Sequence, residues 1–191
     1  MSDVPELLRQ WIADVLRAHA GVMAIALRQR AKFEGWLKFE LAAHAELMGA
    51  TSVTVEAPLP GGRSDLLFEW HGVHYDIELK TPNTHWRMPG VADLRCPVTK
   101  NFASIVADAR KTAAAERRPI VAFVIFPIPC GDPRRQQYLE RISEELKLVL
   151  SHEAHATQLT LPISTAHSAD VVVCCSPVSP QVADDLVAAA V

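Results

Sequence analysis

The run PIVAFVIFPI at 119–128 constrains the fold more than any other stretch of this sequence. Its residues are almost all apolar, and many are β-branched or aromatic, which favours a β-strand. A strand with two apolar faces has to be covered on both sides. We therefore expect 119–128 to be an inner strand of a sheet that has helices packed against it.

The rest of the chain contains the helix and strand patterns that such a sheet needs. Apolar spacing predicts helices at 4–30, 31–48 (ending at Gly49), 99–116 and 133–150. Further strands are predicted at 52–59, 64–70, 73–79, 157–163 and 170–175. The predicted fold class is α/β, with a mixed central sheet flanked by helices.

Length and composition fit one domain over residues 1–191, because an apolar content of 49% is ample for one core. Within it we distinguish N-terminal helices (4–48), a hairpin (64–80) and C-terminal additions (129–191). No apolar run approaches the roughly 18 residues of a membrane span, and the N-terminus lacks a signal peptide's order. These features predict a cytoplasmic protein with no membrane association.

Charge and cysteine content exclude some function classes. A net charge of −3 argues against an overtly basic nucleic-acid binder. The local basic cluster at 28–38 is interpreted as solvated helix surface. No cysteine belongs to a C-x-x-C pair, and the adjacent Cys174 and Cys175 fall on opposite faces of a predicted strand. We expect the cysteines to be reduced and to serve packing.

Acidic residues interrupt the predicted hairpin GGRSDLLFEWHGVHYDIELK at 61–80. A two-residue turn at 71–72 would run its strands antiparallel, and counting back from the turn sets Asp65 opposite Glu78. Two carboxylates that close repel each other unless a cation lies between them. Hard oxygen ligands suit Mg²⁺, so this pair predicts a metal site.

Strand alternation also collects Asp76, Glu78 and Lys80 on one face of 73–79. A water-facing polar row on an edge strand is the alternative interpretation. Lys80 is suited to hold a water at the metal or to stabilise charge on a phosphate. Asp76 is interpreted as a solvated extra acid, with a part in a second metal site as its alternative.

The predicted helix 31–48 has an apolar face made of Phe33, Trp36, Leu37, Leu41, His44, Leu47 and Met48. Glu40 falls on this face and is a third candidate carboxylate, whereas Glu34 lies nearer to solvent. An unpaired charge directed at a core is unfavourable, so Glu40 needs a partner. That partner is either the metal site or an ordinary salt bridge. His44, one turn further on, is interpreted as a core residue rather than a ligand.

Asp65, twelve intervening residues, then Glu78-Leu79-Lys80, with Glu40 upstream, resembles the PD-(D/E)xK nuclease superfamily. The resemblance covers about 30–128 and includes a restriction-endonuclease-like α-β-β-β-α-β order. The chain departs from the superfamily's pattern at Ser64, which stands where the proline of its name would be.

The resemblance implies a metal-dependent DNA endonuclease. Asp65, Glu78 and the Leu79 carbonyl would bind Mg²⁺ (or Mn²⁺ as a substitute). Glu40 would bind directly or through water, with Glu34 as the less favoured alternative for the helix carboxylate. Lys80 would orient the attacking water, and a water held at the metal would attack the phosphodiester in line. Endonuclease action is preferred here over exonuclease action.

Substrate contacts are predicted on the loop 81–98 and at the start of the following helix: His85, Arg87, Lys100 and Asn101. The alternative is an ordinary connection in which Trp86 covers the sheet. A homodimer is compatible with two-strand cleavage by a small domain. Two other functions stay open, namely RNA as the substrate and a non-catalytic scaffold that binds nucleic acid or protein.

Overall fold

The computed structural model describes residues 3–59, 62–93, 117–132, 135–146 and 152–178. The helices are α1 (Val4–Ala18), α2 (Ala20–Gln29), α3 (Glu34–Leu47), α4 (Arg135–Leu146) and α5 (His152–His155). The strands are β1 (Thr51–Leu59), β2 (Gly62–Trp70), β3 (Val73–Lys80), β4 (Arg118–Ile128), β5 (Ala156–Pro162) and β6 (Ser168–Pro177). The helix predicted at 99–116 lies outside the described residues.

The six described strands form one mixed sheet in the order β1-β2-β3-β4-β6-β5. β3 and β4 run parallel, and the other neighbouring pairs are antiparallel. β4 lies inside the sheet, and every residue from Pro119 to Ile128 is buried. Both the α/β class and the inner position of 119–128 are therefore confirmed.

Helices α1, α2 and α3 pack on one face of this sheet. α1 and α2 lie over the β5–β6 side, whereas α3 lies over β1, β2 and β3. Trp11 of α1 joins the two sides, because its ring centroid is 5.7 Å from that of Phe68 and 5.3 Å from that of Trp70. α3 itself lies above the hairpin that carries the acidic residues.

The prediction of one helix over 4–30 is wrong, because the helix breaks at His19. His19 has φ −108° and ψ 36°, which is outside the helical region. Met23, Ala26 and Leu27 of α2 are nevertheless buried at the same three- and four-residue spacing as the apolar residues of α1. Because the spacing continues through the break, periodicity alone could not reveal it.

The end of α3 follows the predicted stop signal. Gly49 has φ +96°, and the N–H of Ala50 donates to the Ala45 carbonyl, which closes the helix with a left-handed glycine. The predicted apolar face of this helix was rotated, however. Leu47 and Met48 are exposed, whereas Leu37, Leu41 and Ala45 are buried.

The hairpin has the predicted register. His71 and Gly72 both have positive φ, as a two-residue hairpin turn of this hand requires. Trp70 pairs with Val73, and the ladder continues to Leu66 opposite Ile77. The next step along both strands carries Asp65 and Glu78.

Two further expectations concern the cysteines and the membrane. Cys174 and Cys175 are buried on β6 as free thiols, which agrees with the predicted packing role. Among the described helices, none combines the length and the apolar character needed to cross a membrane.

Candidate functional site

The polar row of β3 lies in the interior of the sheet, because β3 is bonded to β2 on one side and β4 on the other. The side chain of Asp76 is fully buried, and that of Glu78 is only 10% exposed. An edge strand that shows its polar side to water therefore does not explain this row. Burying these carboxylates is unfavourable unless each has partners.

Asp65 lies where the β2–β3 ladder ends. The backbone N–H of Leu79 donates to Oδ2 of Asp65 at 2.9 Å, so a side-chain oxygen takes the place of a backbone acceptor. That N–H belongs to the peptide that joins Glu78 to Leu79. The structure thus brings Asp65 to the Glu78-Leu79-Lys80 segment, as the sequence predicted.

Lys80 connects this segment to α3. Its Nζ lies 3.0 Å from Oε1 of Glu78 and 3.7 Å from Oε2 of Glu34. The Lys80 side chain is 14% exposed, so these carboxylates replace much of its contact with water. Glu34 stands in the first turn of α3, directly over the end of β3.

Glu40, the helix carboxylate that the sequence favoured, lies elsewhere. Its Oε2 is 3.1 Å from Nε2 of His19, at the junction between α1 and α2. Glu34 lies on the buried side of α3 with Leu37 and Leu41, whereas Glu40 is displaced by about a third of a turn. The preference for Glu40 over Glu34 came from the rotated apolar face and is not supported by this geometry.

Lys38 lies one turn after Glu34 and also faces the hairpin. Its Nζ contacts Oε1 of Glu56 on β1 and lies 3.9 Å from Oδ1 of Asp65. Its side chain is only 14% exposed. The basic cluster at 28–38 was predicted to be solvated, and for Lys38 this is wrong because the ammonium is enclosed by carboxylates.

We call these six residues the carboxylate–lysine cluster: Glu34, Lys38, Glu56, Asp65, Glu78 and Lys80. Its four carboxylates and two ammonium groups carry a formal net charge of −2. Two further cations lie at its edge, Lys32 at 4.0 Å from Glu34 and Arg63 at 4.0 Å from Glu56. Carboxylate oxygens are the donors that Mg²⁺ prefers. No three His, Cys, Asp or Glu side chains in the described ranges are already arranged around a common metal position. For a metal to bind, Lys38 and Lys80 would therefore have to give up some of their contacts with the carboxylate oxygens.

Asp76 is not the solvated acid that the sequence suggested. Its Oδ1 accepts hydrogen bonds from Oγ of Ser64 and from a guanidinium N–H of Arg117, both at 3.1 Å. Its Oδ2 is buried and accepts no hydrogen bond from any described residue. These contacts connect β3 to Ser64 on β2 and to Arg117, which directly precedes β4.

The loop that follows Lys80 is held by a buried arginine. Arg30 is 5% exposed and donates to the carbonyl oxygens of Thr84, Trp86 and Ala92. Arg30 has φ +51°, so it ends α2 in a left-handed conformation and turns its side chain into the loop. The predicted solvated surface is therefore wrong here as well.

The predicted substrate residues have different positions in this loop. His85 and Arg87 are exposed, and Arg87 lies 3.8 Å from Asp93. Trp86 is buried, which favours the interpretation that it packs against the protein. Lys100 and Asn101 lie outside the described residues.

Sequence reasoning missed Lys38, Glu56 and Arg30. Lys38 could have been found from its position four residues after Glu34, because such residues share a helix face. Nothing in the pattern of β1 marks Glu56, whose φ of +55° is unusual for a residue with a long side chain. The sequence indicated Arg30 only as one charge of the basic cluster at 28–38 and gave no sign of its contacts with the loop.

The chain matches no family model, no curated protein and no solved structure. The arrangement of the carboxylate–lysine cluster is thus the basis on which a function can be argued.

Proposed function

We propose that the protein is a metal-dependent nuclease, with its site at the carboxylate–lysine cluster. The observation that carries the proposal is the meeting of Asp65 with the Glu78-Leu79-Lys80 segment on adjacent strands. The Asp65 and Glu78 side chains are 21% and 10% exposed, and each has a lysine ammonium within 4 Å. Chance placement of acidic residues on two strands would not require this.

The donor set fits Mg²⁺, with Mn²⁺ as a substitute. Asp65 and Glu78 supply hard oxygen ligands, and the Leu79 carbonyl remains a third proposed ligand. When bound, the ion would supply positive charge to a phosphate and make a water more acidic. Glu34 replaces Glu40 in this proposal as the carboxylate contributed by the helix.

Lys80 supplies the proton-donating group of the site. Its ammonium is held between Glu78 and Glu34, which fixes it beside the proposed ligands. From there it can orient a water for in-line attack on phosphorus or stabilise the charge that develops on the phosphate oxygens. A metal that takes oxygens of Glu78 and Glu34 would weaken these two contacts and leave the ammonium beside it.

The order of the described elements supports a PD-(D/E)xK-type core. α3, β1, β2 and β3 follow one another, and β4 returns parallel to β3. A parallel return needs a crossover connection, and residues 81–117 are long enough to make one. In this proposal the predicted helix 99–116 completes the α-β-β-β-α-β arrangement.

We propose DNA as the substrate, in preference to RNA, and endonuclease action in preference to exonuclease action. The exposed His85 and Arg87 follow the site along the chain, and Lys100 and Asn101 stay as proposed contacts. A homodimer would place two such sites on the two strands of a duplex.

A non-catalytic scaffold is the second candidate, and one observation favours it. Each carboxylate of the cluster already has a lysine partner, so the cluster is also explained as a set of partly buried ion pairs. A scaffold of this kind would bind nucleic acid or protein without hydrolysis. Divalent-ion binding separates the two candidates.

The test uses the purified full chain with supercoiled plasmid, linear duplex, single-stranded DNA and RNA. Each is incubated with Mg²⁺, Mn²⁺ or EDTA, while calorimetry measures Mn²⁺ binding by the wild type and Asp65→Asn. We expect metal-dependent cutting of DNA and at least about tenfold weaker Mn²⁺ binding by the variant. Absence of cutting together with absence of ion binding would reject the nuclease and favour the scaffold.

A further inference from the structure

Lys38 is a largely but not fully buried cation to which the proposed reaction assigns no role. Its ammonium contacts Glu56 and lies 3.9 Å from Asp65, the proposed metal ligand. A simple ion pair accounts for the contact with Glu56. It does not account for a second lysine placed beside a carboxylate that a metal would need.

Glu56 holds Lys38 by an unusual backbone conformation. Its φ of +55° lies in the left-handed region, which is unfavourable for a residue other than glycine and persists only where surrounding contacts maintain it. Its carboxylate reaches Lys38 and also lies 4.0 Å from Arg63. Lys38 therefore keeps one carboxylate partner even if Asp65 is taken by another cation.

A divalent ion on Asp65 would compete with Lys38. The ammonium lies 3.9 Å from Oδ1 of Asp65, and two cations that close to one carboxylate repel each other strongly in a site largely shielded from water. Once the ion holds Asp65, Lys38 has lost one of its two negative partners. A substrate phosphate that binds the ion brings a new negative partner to the same place.

We propose that Lys38 is a second substrate-contacting lysine of this site. It neutralises Asp65 before the metal binds, and it pairs with a phosphate of the nucleic acid once the metal has taken Asp65. Glu56 keeps it within reach in both states. This inference rests on the proposed nuclease function and adds to it a residue from α3.

The first test measures metal binding without nucleic acid. Calorimetric titration with Mn²⁺ compares the wild type, Lys38→Met and Lys32→Met. Lys32→Met is the matched control, because it removes the same charge. Lys32 lies 4.0 Å from Glu34, but its side chain is 56% exposed. We expect Lys38→Met to bind Mn²⁺ at least about fivefold more tightly and Lys32→Met to stay within about twofold of the wild type.

The second test measures binding of an uncut DNA duplex with Ca²⁺ in place of Mg²⁺, over a series of salt concentrations. Lys38→Met should bind more weakly, and its salt slope should be smaller by about 0.9, the value for one lost phosphate contact. Lys38→Met/Glu56→Gln keeps the wild type's net charge. It should still bind Mn²⁺ more tightly, which excludes a simple effect of charge or misfolding.

The outcomes are distinct. If the wild type binds neither Mn²⁺ nor DNA, the nuclease proposal and this inference both fail. If the wild type binds both, and Lys38→Met leaves either the Mn²⁺ affinity or the salt slope unchanged, the nuclease proposal stands and the role of Lys38 is refuted.

Discussion

Lys80 shares its ammonium group between carboxylates from two different elements, and this sharing identifies which helix residue belongs to the site. Glu78 is two residues away on β3, whereas Glu34 comes from the start of α3. Glu40 is paired with His19 instead. The two helix glutamates are therefore a natural pair for comparison, since the same substitution can be made at each.

Glu34→Gln should lower the rate of Mg²⁺-dependent DNA cleavage by at least about tenfold, because Lys80 loses one of its carboxylate partners. The cleavage rate of Glu40→Gln should stay within about twofold of the wild-type rate, because this substitution alters only an ion pair at the α1–α2 junction. Initial rates on the same plasmid measure both. If Glu40→Gln instead lowered the cleavage rate more than Glu34→Gln, Glu40 rather than Glu34 would be the helix carboxylate of the site.

The cysteines of β6 give a prediction that does not depend on function. Burial raises the pKa of the Cys174 thiol from its ordinary value near 9 to about 12, and burial also raises the pKa of Cys175. The folded state therefore holds both as thiols while the unfolded chain ionises. Their contribution to stability is full below about pH 9 and is lost as the pH rises toward 12.

We expect the Cys96→Ser variant to expose one reactive thiol when folded, that of Cys130, which is solvent-exposed. Cys174 and Cys175 should react only after unfolding. Spectrophotometric thiol labelling at pH 8, with and without denaturant, measures this. Rapid labelling of all three thiols in the native protein would contradict the burial of β6.

Among the elements, the loop after β3 depends on a helix end for its shape. Arg30 leaves α2 with positive φ and binds three loop carbonyls, and the N–H of Ala92 donates to the carbonyl of Arg28 at 2.7 Å. Asn83 also donates to the Arg30 carbonyl at 2.9 Å. The α2–α3 junction thus fixes the segment that carries His85 and Arg87.

Arg30→Met should lower the free energy of unfolding by about 3 kcal/mol, because three buried carbonyls lose a charged donor. Arg30→Lys should recover only part of this, since an ammonium lacks the planar fork of donors. Arg17→Met is the control, because it removes an exposed arginine that is paired with Asp14. It should change the free energy of unfolding by less than about 1 kcal/mol. Urea unfolding measures all three.

If Arg30→Met lowers the free energy of unfolding no more than Arg17→Met does, other contacts hold the loop. Cleavage rates of the folded Arg30→Lys protein would then be expected to match those of the wild type.

For the molecule as a whole, local patterns predicted the described strands and the hairpin register, but not the break between α1 and α2. The turn at 71–72 and the alternation of β3 depend on neighbouring residues, so the sequence alone was enough to place Asp65 beside Glu78. The strand order on the far side of β4 depends on packing between distant segments, and it was not predictable. The buried face of α3 was predicted wrongly for the same reason, since it also depends on packing between distant segments. Leu47 and Met48 are apolar but face solvent.

In the proposed function, the carboxylate–lysine cluster hydrolyses DNA with a divalent metal. Lys80→Ala tests it most directly, because Lys80 contacts both Glu78 and Glu34 and its side chain lies off the main core. The variant should keep the wild-type circular dichroism spectrum. The loss of one positioned proton donor should reduce cleavage by at least about 100-fold.

The measurement is the initial rate of plasmid cleavage in Mg²⁺ by the wild type, Lys80→Ala and the control Lys32→Ala. We expect EDTA-sensitive cutting by the wild type and by the control, and none above background by Lys80→Ala. Equal rates for all three folded proteins would contradict the proposed nuclease site, because cutting would then take place without the lysine that contacts Glu34 and Glu78.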